Sequence, residues 1–357
     1  MAMLWCDSFD FFPSADITLG RMSSIVGAVI NSGTGRNSTD SLRITSNARY
    51  GLKGVNPASS TSITNFAFKP NAITGGVNAT FFSVFDSSLG LIGVQLHHSG
   101  TGQIVASIRA VGNSLPGSFT SLTTLGTSAA GIVTAGVFTH FQVKIVHHAS
   151  AGSVVVKADG VEILNISGVQ TQLTSTSLTY GWDGICLGSS ASSGNPTMDW
   201  DDFIICDGSG SVNNDFIGDC RVEAKVASSG DGTNADFAPS SGSDNGAMVD
   251  EANQDGDTTY NSTSTIGHKD TYNYAALSST GSVRGVQITT VAKKSDAGTR
   301  SIAHVTRSGG ADYDGSNIAL STSYRYQSSI RESDPNTSAP WLVADIDAAE
   351  FGQKLTA

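Results

Sequence analysis

The sequence predicts an all-β chain of two domains, a jelly-roll sandwich over residues 1–208 and a smaller β-rich domain over 209–357. Three observations lead there. Short apolar runs recur about every ten residues, separated by Gly, Ser, Asn and Asp, which is the spacing of sandwich strands and their turns. Charged residues are only 14% of the chain while Gly numbers 40, so turns and hydroxyl side chains supply the polarity that charged helices supply elsewhere. No segment of the first 208 residues holds an apolar period of 3.6, so helices there would have no face to bury. At 357 residues the chain is long enough for two domains of ~150 residues each.

Taken in order, Leu4 to Phe12 is aromatic and apolar with Asp between and stops at Pro13, a first strand and its turn. Residues 15–21 read as a connection. SLRITS (41–46) and YGLKGV (50–55) are the next strand signals. SITNFAFKP (62–70) alternates and is ended by Pro70. NATFFSVFD (78–86), LGLIGVQLHH (89–98) and GQIVASIRAV (102–111) follow at regular intervals. VFTHFQVKIVHH (137–148) is the clearest strand, with His140, Gln142 and Lys144 on one face and Phe141, Val143 and Ile145 on the other. VVVKADGVEILNISG (154–168) carries Asp159-Gly160 between β-branched runs, which predicts a two-residue hairpin turn.

MDWDDFII (198–205) closes the domain. Trp200, Phe203 and Ile205 alternate with Asp199, Asp201 and Asp202, apart from one slip around Asp201 and Asp202, so the aspartates are expected on the solvent face. The turn residues of GSGSVNND then break the pattern and place the domain boundary. In the second domain DCRVEAKVA (219–227), TYNSTSTI, TYNYAAL, SVRGVQITTVAKK, RSIAHVTR, NIALST and YRYQSSIR are strand candidates, with an irregular loop over residues 228–246. Residues 339–355 read as a short strand, one helical turn and a terminal tail.

The net charge of −11 is uneven: residues 1–208 carry 9 basic and 12 acidic side chains, residues 209–357 carry 11 and 19. Such a chain repels phosphate backbones and has no basic stripe, so nucleic acid is not an expected partner. No run approaches the ~18 apolar residues of a membrane helix, and the start MAMLWCDSFDFF has no basic, apolar leader, so neither membrane insertion nor an export signal is expected. Cys6, Cys186, Cys206 and Cys220 show no CxxC pairing. Cys6 and Cys206 would be neighbours if the first and last strands pair; buried free thiols are the default for all four.

The order of the N-terminal aromatic strand, the HFQVKIV strand, the VVVKADGVEIL hairpin and the closing MDWDDFII strand resembles the concanavalin A-like, laminin-G-like jelly rolls over residues 1–208. The phrases NNDFIGDCRVEAKV, DGDTTYNSTSTIGHKDTYNY, VRGVQITTVAKKSDAG and DPNTSAPWLVADIDAAEFGQKL resemble the C-terminal half of tailed-phage virion proteins that carry such a jelly roll. The resemblance implies a non-enzymatic virion structural protein, a capsid decoration or a tail- or fibre-associated subunit. It would be homo-oligomeric, as a trimer, would contact other virion proteins through the second domain, and would adhere to a host surface glycan. The alternative is a lectin-like carbohydrate-binding module or a glycan depolymerase. Glycosidases of this fold set Glu and Asp alternately along one strand, and no such motif is present. Catalytic residues are therefore expected to be absent.

Two groups remain as binding candidates. Tyr180 and Trp182, flanked by Gly181 and Gly184, are the aromatic residues placed to meet a sugar ring. Glu251, Asn253, Asp255 and Asp257, with Gly256, follow the order of a calcium-loop beginning, but the first ligand is Glu and the twelfth position is Ser262. Calcium is the one cofactor this leaves open. The adjacent pairs His97-His98 and His147-His148 point to opposite faces and cannot chelate one ion together, whereas a cross-strand pairing of His140 with His97 or His98 is conceivable.

Overall fold

The computed structural model describes residues 1–45, 49–73, 79–109, 122–189 and 196–357. The predicted strand ends at Ser46, Asn78 and Ala110–Val111 lie outside these residues. Contacts divide the chain into two units: Met1–Asp10 with Arg21–Val222, and Phe11–Gly20 with Glu223–Ala357.

The first unit is a jelly-roll sandwich of two antiparallel sheets. The eight-stranded sheet runs in the order Val161–Val169, Gly152–Ala158, Thr139–Val146, Thr61–Pro70, Met198–Asp207, Ser41–Ile44 and Ala28–Asn31, with Met3–Asp7 also paired to the closing strand Met198–Asp207. The seven-stranded sheet runs Leu122–Thr127, Ile104–Arg109, Leu91–His98, Ala79–Asp86, Gly184–Ser189, Arg49–Gly54 and Ser24–Val26. Neighbours that are distant in sequence, such as Thr61–Pro70 beside Thr139–Val146, are what a jelly roll requires.

The apolar face of each strand meets its counterpart across the sandwich. Phe66 of the eight-stranded sheet stacks on Phe82 of the other at 5.6 Å between ring centroids, and Phe81, Phe141 and Phe203 lie within 6.3 Å of Phe66. Each such ring, fully buried, contributes about 1.5–3 kcal/mol. The hairpin between Gly152–Ala158 and Val161–Val169 turns at Asp159 (φ 47°) and Gly160 (φ 81°). Two positive φ angles in succession make the primed turn that the Asp-Gly pair predicts.

The slip read in MDWDDFII is a β-bulge. Asp201 faces Ala67 and Ile204 faces Asn65, so Asp202 and Phe203 together stand opposite Phe66 alone. Asp202 is the extra residue, at φ 51°, a conformation that Asp tolerates better than most side chains. The bulge keeps Trp200 and Phe203 in the core while turning two consecutive carboxylates outward.

The second unit is built on a four-stranded sheet in the order Lys269–Tyr272, Glu350–Leu355, Ser301–Ser308, Ala311–Ala319, with Val286–Ala292 paired to Arg325–Arg331. Ile288, Trp341, Ala349 and Phe351 form an apolar cluster. The contacts draw the division elsewhere than 208, grouping residues 209–222 with the first unit and residues 11–20 with the second. Two expectations are corrected here. DCRVEAKVA is no strand; only Ala227 makes an isolated bridge, to Tyr274. The terminal tail is instead an interior strand, paired on both sides through Glu350–Leu355, because Phe351 and Leu355 bury their side chains there.

Candidate functional site

A polar row crosses the seven-stranded sheet on the side away from the core. Phe82, Leu96, Ala106 and Leu187 are cross-strand partners facing the sandwich interior. Their neighbours Cys186, Ser83, Gln95 and Ser107 are therefore partners on the opposite face, with Leu52 continuing the row at one end and Thr124 at the other. Gln95 and His97 share that face, and the His97 ring bridges the Thr80 hydroxyl (Nδ1, 2.8 Å) and the Ser107 hydroxyl (Nε2). Burial pushes His97 down to about 4, which leaves the imidazole neutral at physiological pH. Beside the polar members lies an apolar patch of Leu52, Phe85, Ile92 and Cys186.

The row is buried: Ser83, Gln95, Ser107, His97 and Thr80 are all at most 3% exposed. Ser83 Oγ and Gln95 Oε1 have no hydrogen-bond partner among the described residues. Leaving such an atom dry and unpaired costs about 1–3 kcal/mol, so each is an unmet demand for a donor. The arrangement offers hydroxyl, amide and neutral imidazole groups next to an apolar surface, and no formal charge.

A second polar concentration lies on the outer face of the eight-stranded sheet, around the bulge. Asp201 accepts hydrogen bonds from the backbone N–H groups of Arg36 (2.6 Å) and Asp202 (2.7 Å) and from the Thr39 hydroxyl (3.1 Å). Asp202 accepts from the Val222 backbone at 2.8 Å and lies 3.5 Å from the Arg36 guanidinium. Arg36 in turn holds Asp219 through two bonds of 2.6 Å. Burial, and for Asp201 the adjacent Asp202 carboxylate, raises both aspartates above the ordinary carboxylate range. Gly35 matters here by its lack of a side chain: a Cβ would come within 2.6 Å of the Asp201 carboxylate and 2.1 Å of the Asp40 carbonyl.

The aspartates of the closing strand are thus not the wet edge their alternation suggests. Asp199, Asp201 and Asp202 are 0%, 1% and 2% exposed. Asp199 is paired with Arg43 (2.7 Å) and Lys69 (3.3 Å) and accepts from Asn71. Alternation tells which face a residue takes, not whether another segment covers that face.

Trp182 is corrected in the same way. It is 1% exposed, stacks on His147 at 5.7 Å and donates its indole N–H to the Ser59 carbonyl, so it is a packing residue and no sugar platform. Tyr180 is half-buried. His140 and His97 sit on different sheets, and His97, His98, His140 and His147 are all buried. Cys6 and Cys206 do lie on paired strands, and no disulfide joins them.

Among the proposed calcium ligands, Glu251 and Asp255 lie 2.6 and 2.8 Å from the Thr259 hydroxyl, which donates to one of them at a time. Asp257 turns instead to Lys293 (2.6 Å) and the Tyr324 hydroxyl (2.8 Å), while Asn253 is exposed. No cluster of three acidic, His or Cys side chains suited to a metal occurs among the described residues. Millimolar calcium is accordingly expected to leave the melting temperature unchanged; a rise of more than about 2 °C would show a site of meaningful affinity.

No family model matches the chain, and no curated protein matches it. Among solved structures it is similar to the cellulose-induced protein Cip1, with 12% identity over 55% of this chain and 87% of that one at a TM-score of 0.35. It is also similar to galectin LEC-6 of Caenorhabditis elegans, with 8% identity over 46% and 94% at 0.29, and to carbohydrate-binding module CBM66 from Bacillus subtilis, with 6% identity over 52% and 94% at 0.33. Scores this low carry no functional argument; the fold class rests on the sheet order itself. The first unit is a concanavalin-like jelly roll, and the chain as a whole is all-β apart from short helical turns.

Proposed function

We propose that this chain is a non-catalytic, lectin-like protein that recognises a neutral glycan, acting as a homo-oligomeric component of a virion surface. The observation that carries the glycan reading is the uncharged row Thr80, Ser83, Gln95, His97 and Ser107 beside the apolar patch of Leu52, Phe85 and Ile92. A pyranose presents hydroxyl edges and an apolar C–H face, and sites for such ligands combine a few placed polar groups with apolar lining. The absence of charge in the row disfavours sialic and uronic acids, whose carboxylates want Arg or Lys. The row is buried, so a ligand reaches it only when the protein covering that face moves aside.

The virion context rests on the resemblance of residues 209–357 to tailed-phage proteins, and a particle reconstruction that lacks this chain would remove it. A depolymerase role is not favoured, since Asp199 is neutralised by Arg43 and Lys69. Glycan recognition is tested on an array of neutral and acidic glycans, with and without calcium. Binding to neutral glycans is expected to weaken about tenfold in Gln95→Ala, one hydrogen bond to a bound hydroxyl, and to survive Tyr180→Ala. An array without binders, or binding indifferent to both Gln95→Ala and Ser83→Ala, would overturn the reading.

A further inference from the structure

Residues 209–222, read from the sequence as the start of the second domain, form a strap that returns across the outer face of the eight-stranded sheet. Asp215 pairs with Lys144 at 3.0 Å, the Phe216 ring lies 4.3 Å from the Lys157 ammonium, and Ile217 is 3% exposed. The Gly218 N–H donates to Gln142 Oε1 (2.9 Å), Asp219 is clamped by Arg36, and the Val222 N–H donates to Asp202 (2.8 Å). One of the strap's ties therefore ends on the bulge carboxylate itself.

The closed strap fits its floor incompletely. Among the described residues Asn65, 0% exposed, has no hydrogen-bond partner at Oδ1 or Nδ2, and His140, 2% exposed, has none at Nδ1 or Nε2, the latter lying 3.8 Å from the strap's Asp219 carboxylate. The register places Asn65 beside Gln142 and Ala67 between His140 and Asp201, so these orphaned atoms lie next to the strap's anchor points. Water would satisfy all four if the strap lifted, so closure is opposed by a cost of about 1–3 kcal/mol for each unpaired group.

We propose that residues 209–222 form a proton-operated latch, closed while the Asp201–Asp202 pair retains a proton and opening as that proton leaves at alkaline pH, to uncover the polar floor of Asn65, His140 and Gln142. The charges facing the pair come from every neighbouring element. On its own strand Asp199 is neutralised by Arg43 and Lys69; the loop before Ser41–Ile44 contributes Arg36 and the Thr39 hydroxyl. The strand Thr139–Val146 brings His140, which burial keeps neutral and whose backbone N–H is held by Asp159 of the hairpin turn. The strap brings Asp219 and Arg221. Arg36 is shared between Asp202 and Asp219, so it does not neutralise a doubly ionised pair as well.

The sign follows from linkage. Burial raises the proton affinity of both carboxyls and outweighs the Val222 N–H, Arg36 and Arg221, each of which lowers that of Asp202; hydration on opening would return it towards the ordinary value. Closure therefore gains fully below the ordinary carboxylate range and loses as pH rises through the raised one, by up to about tenfold per pH unit for one proton.

Amide hydrogen exchange of the full chain reads this directly. Corrected for intrinsic rates, protection at Gly218 and Val222 is expected to fall from pH 6 to pH 9, while that of Phe141 and Val143 in the floor strand stays level. Asp201→Asn removes the carboxyl with the more strongly raised proton affinity, leaves the Asp202–Val222 tie in place and is expected to flatten the dependence; Asp219→Ala should lower strap protection at every pH with the slope retained. Strap protection that is flat or rises across this range in the wild-type protein overturns the latch, as does an Asp201→Asn variant with the wild-type slope.

Discussion

A fragment of residues 223–357 is expected to melt well below the same fragment supplied with residues 11–20 through a flexible Gly/Ser linker. The segment 11–20 leaves the first strand of one unit and is built into the other. There the Asp16 carboxylate accepts from the Tyr326 hydroxyl (3.1 Å) and from the Gln254 amide (3.0 Å), Arg325 donates to the Thr18 carbonyl (3.2 Å), and Phe12 meets the Tyr326 ring edge-on at 6.3 Å. Removing the segment takes away a large buried side chain, worth about 1.5–3 kcal/mol, and the carboxylate that accepts two hydrogen bonds, at about 1.5–3 kcal/mol each. A loss of roughly 4.5–9 kcal/mol rivals the whole stability of a typical domain, ~5–15 kcal/mol. Thermal unfolding of the two fragments side by side checks it. Equal melting temperatures would mean that the segment is a passenger, and that the boundary read at 208 describes the folding unit better than the contacts do.

That boundary illustrates what the chain discloses unaided. Local rules show through the sequence: the primed turn at Asp159-Gly160, the alternation of Phe66 and Phe68 in SITNFAFKP, and the slip at Asp201–Asp202 that is the bulge. Each depends on residues within a few positions of one another. The burial of Asp199, Asp201 and Asp202 is not local. It needs Arg43 and Lys69 from neighbouring strands, Arg36 from a distant loop and a strap contributed by the following segment, and no pattern within MDWDDFII announces any of them. Trp182 misled for the same reason, since flanking glycines say that a backbone can turn but not that His147 waits to stack on the ring. The polar row was equally hidden: Ser83, Gln95 and Ser107 stand on three separate strands, and only the register makes them neighbours. His97 gave the single sequence signal, a polar ring at the end of an apolar strand, and alternation alone could not name its partners Thr80 and Ser107. The terminal strand Glu350–Leu355 reads as a tail because Gly352 interrupts it, yet that glycine is what lets the strand approach: a Cβ there would stand 1.9 Å from the Asp270 carbonyl.

Trp200→Ala is expected to destabilise the first unit by about 3–5 kcal/mol, and Trp200→Phe by about 1–3 kcal/mol, in equilibrium denaturation. The two numbers separate two jobs. The side chain is fully buried against Phe68, with ring centroids 5.5 Å apart, so truncation leaves a large cavity at the centre of the closing strand. Its indole N–H also donates to the Phe81 carbonyl at 3.1 Å, and Phe81 belongs to the opposite sheet, so this one bond ties the two layers together. Phe restores most of the apolar volume and nothing of the bond, leaving a buried carbonyl short of a donor. Trp200 also precedes the bulge by one residue, and its anchoring fixes where Asp201 and Asp202 emerge on the other face. Loosening it should therefore raise exchange at the Val222 amide before global unfolding begins, because the strap's last tie ends on Asp202. A Trp200→Phe variant as stable as the wild type would show that water replaces the indole at Phe81. Strap exchange unaffected in that variant would show that the bulge is set by its own backbone and not by the anchor beside it.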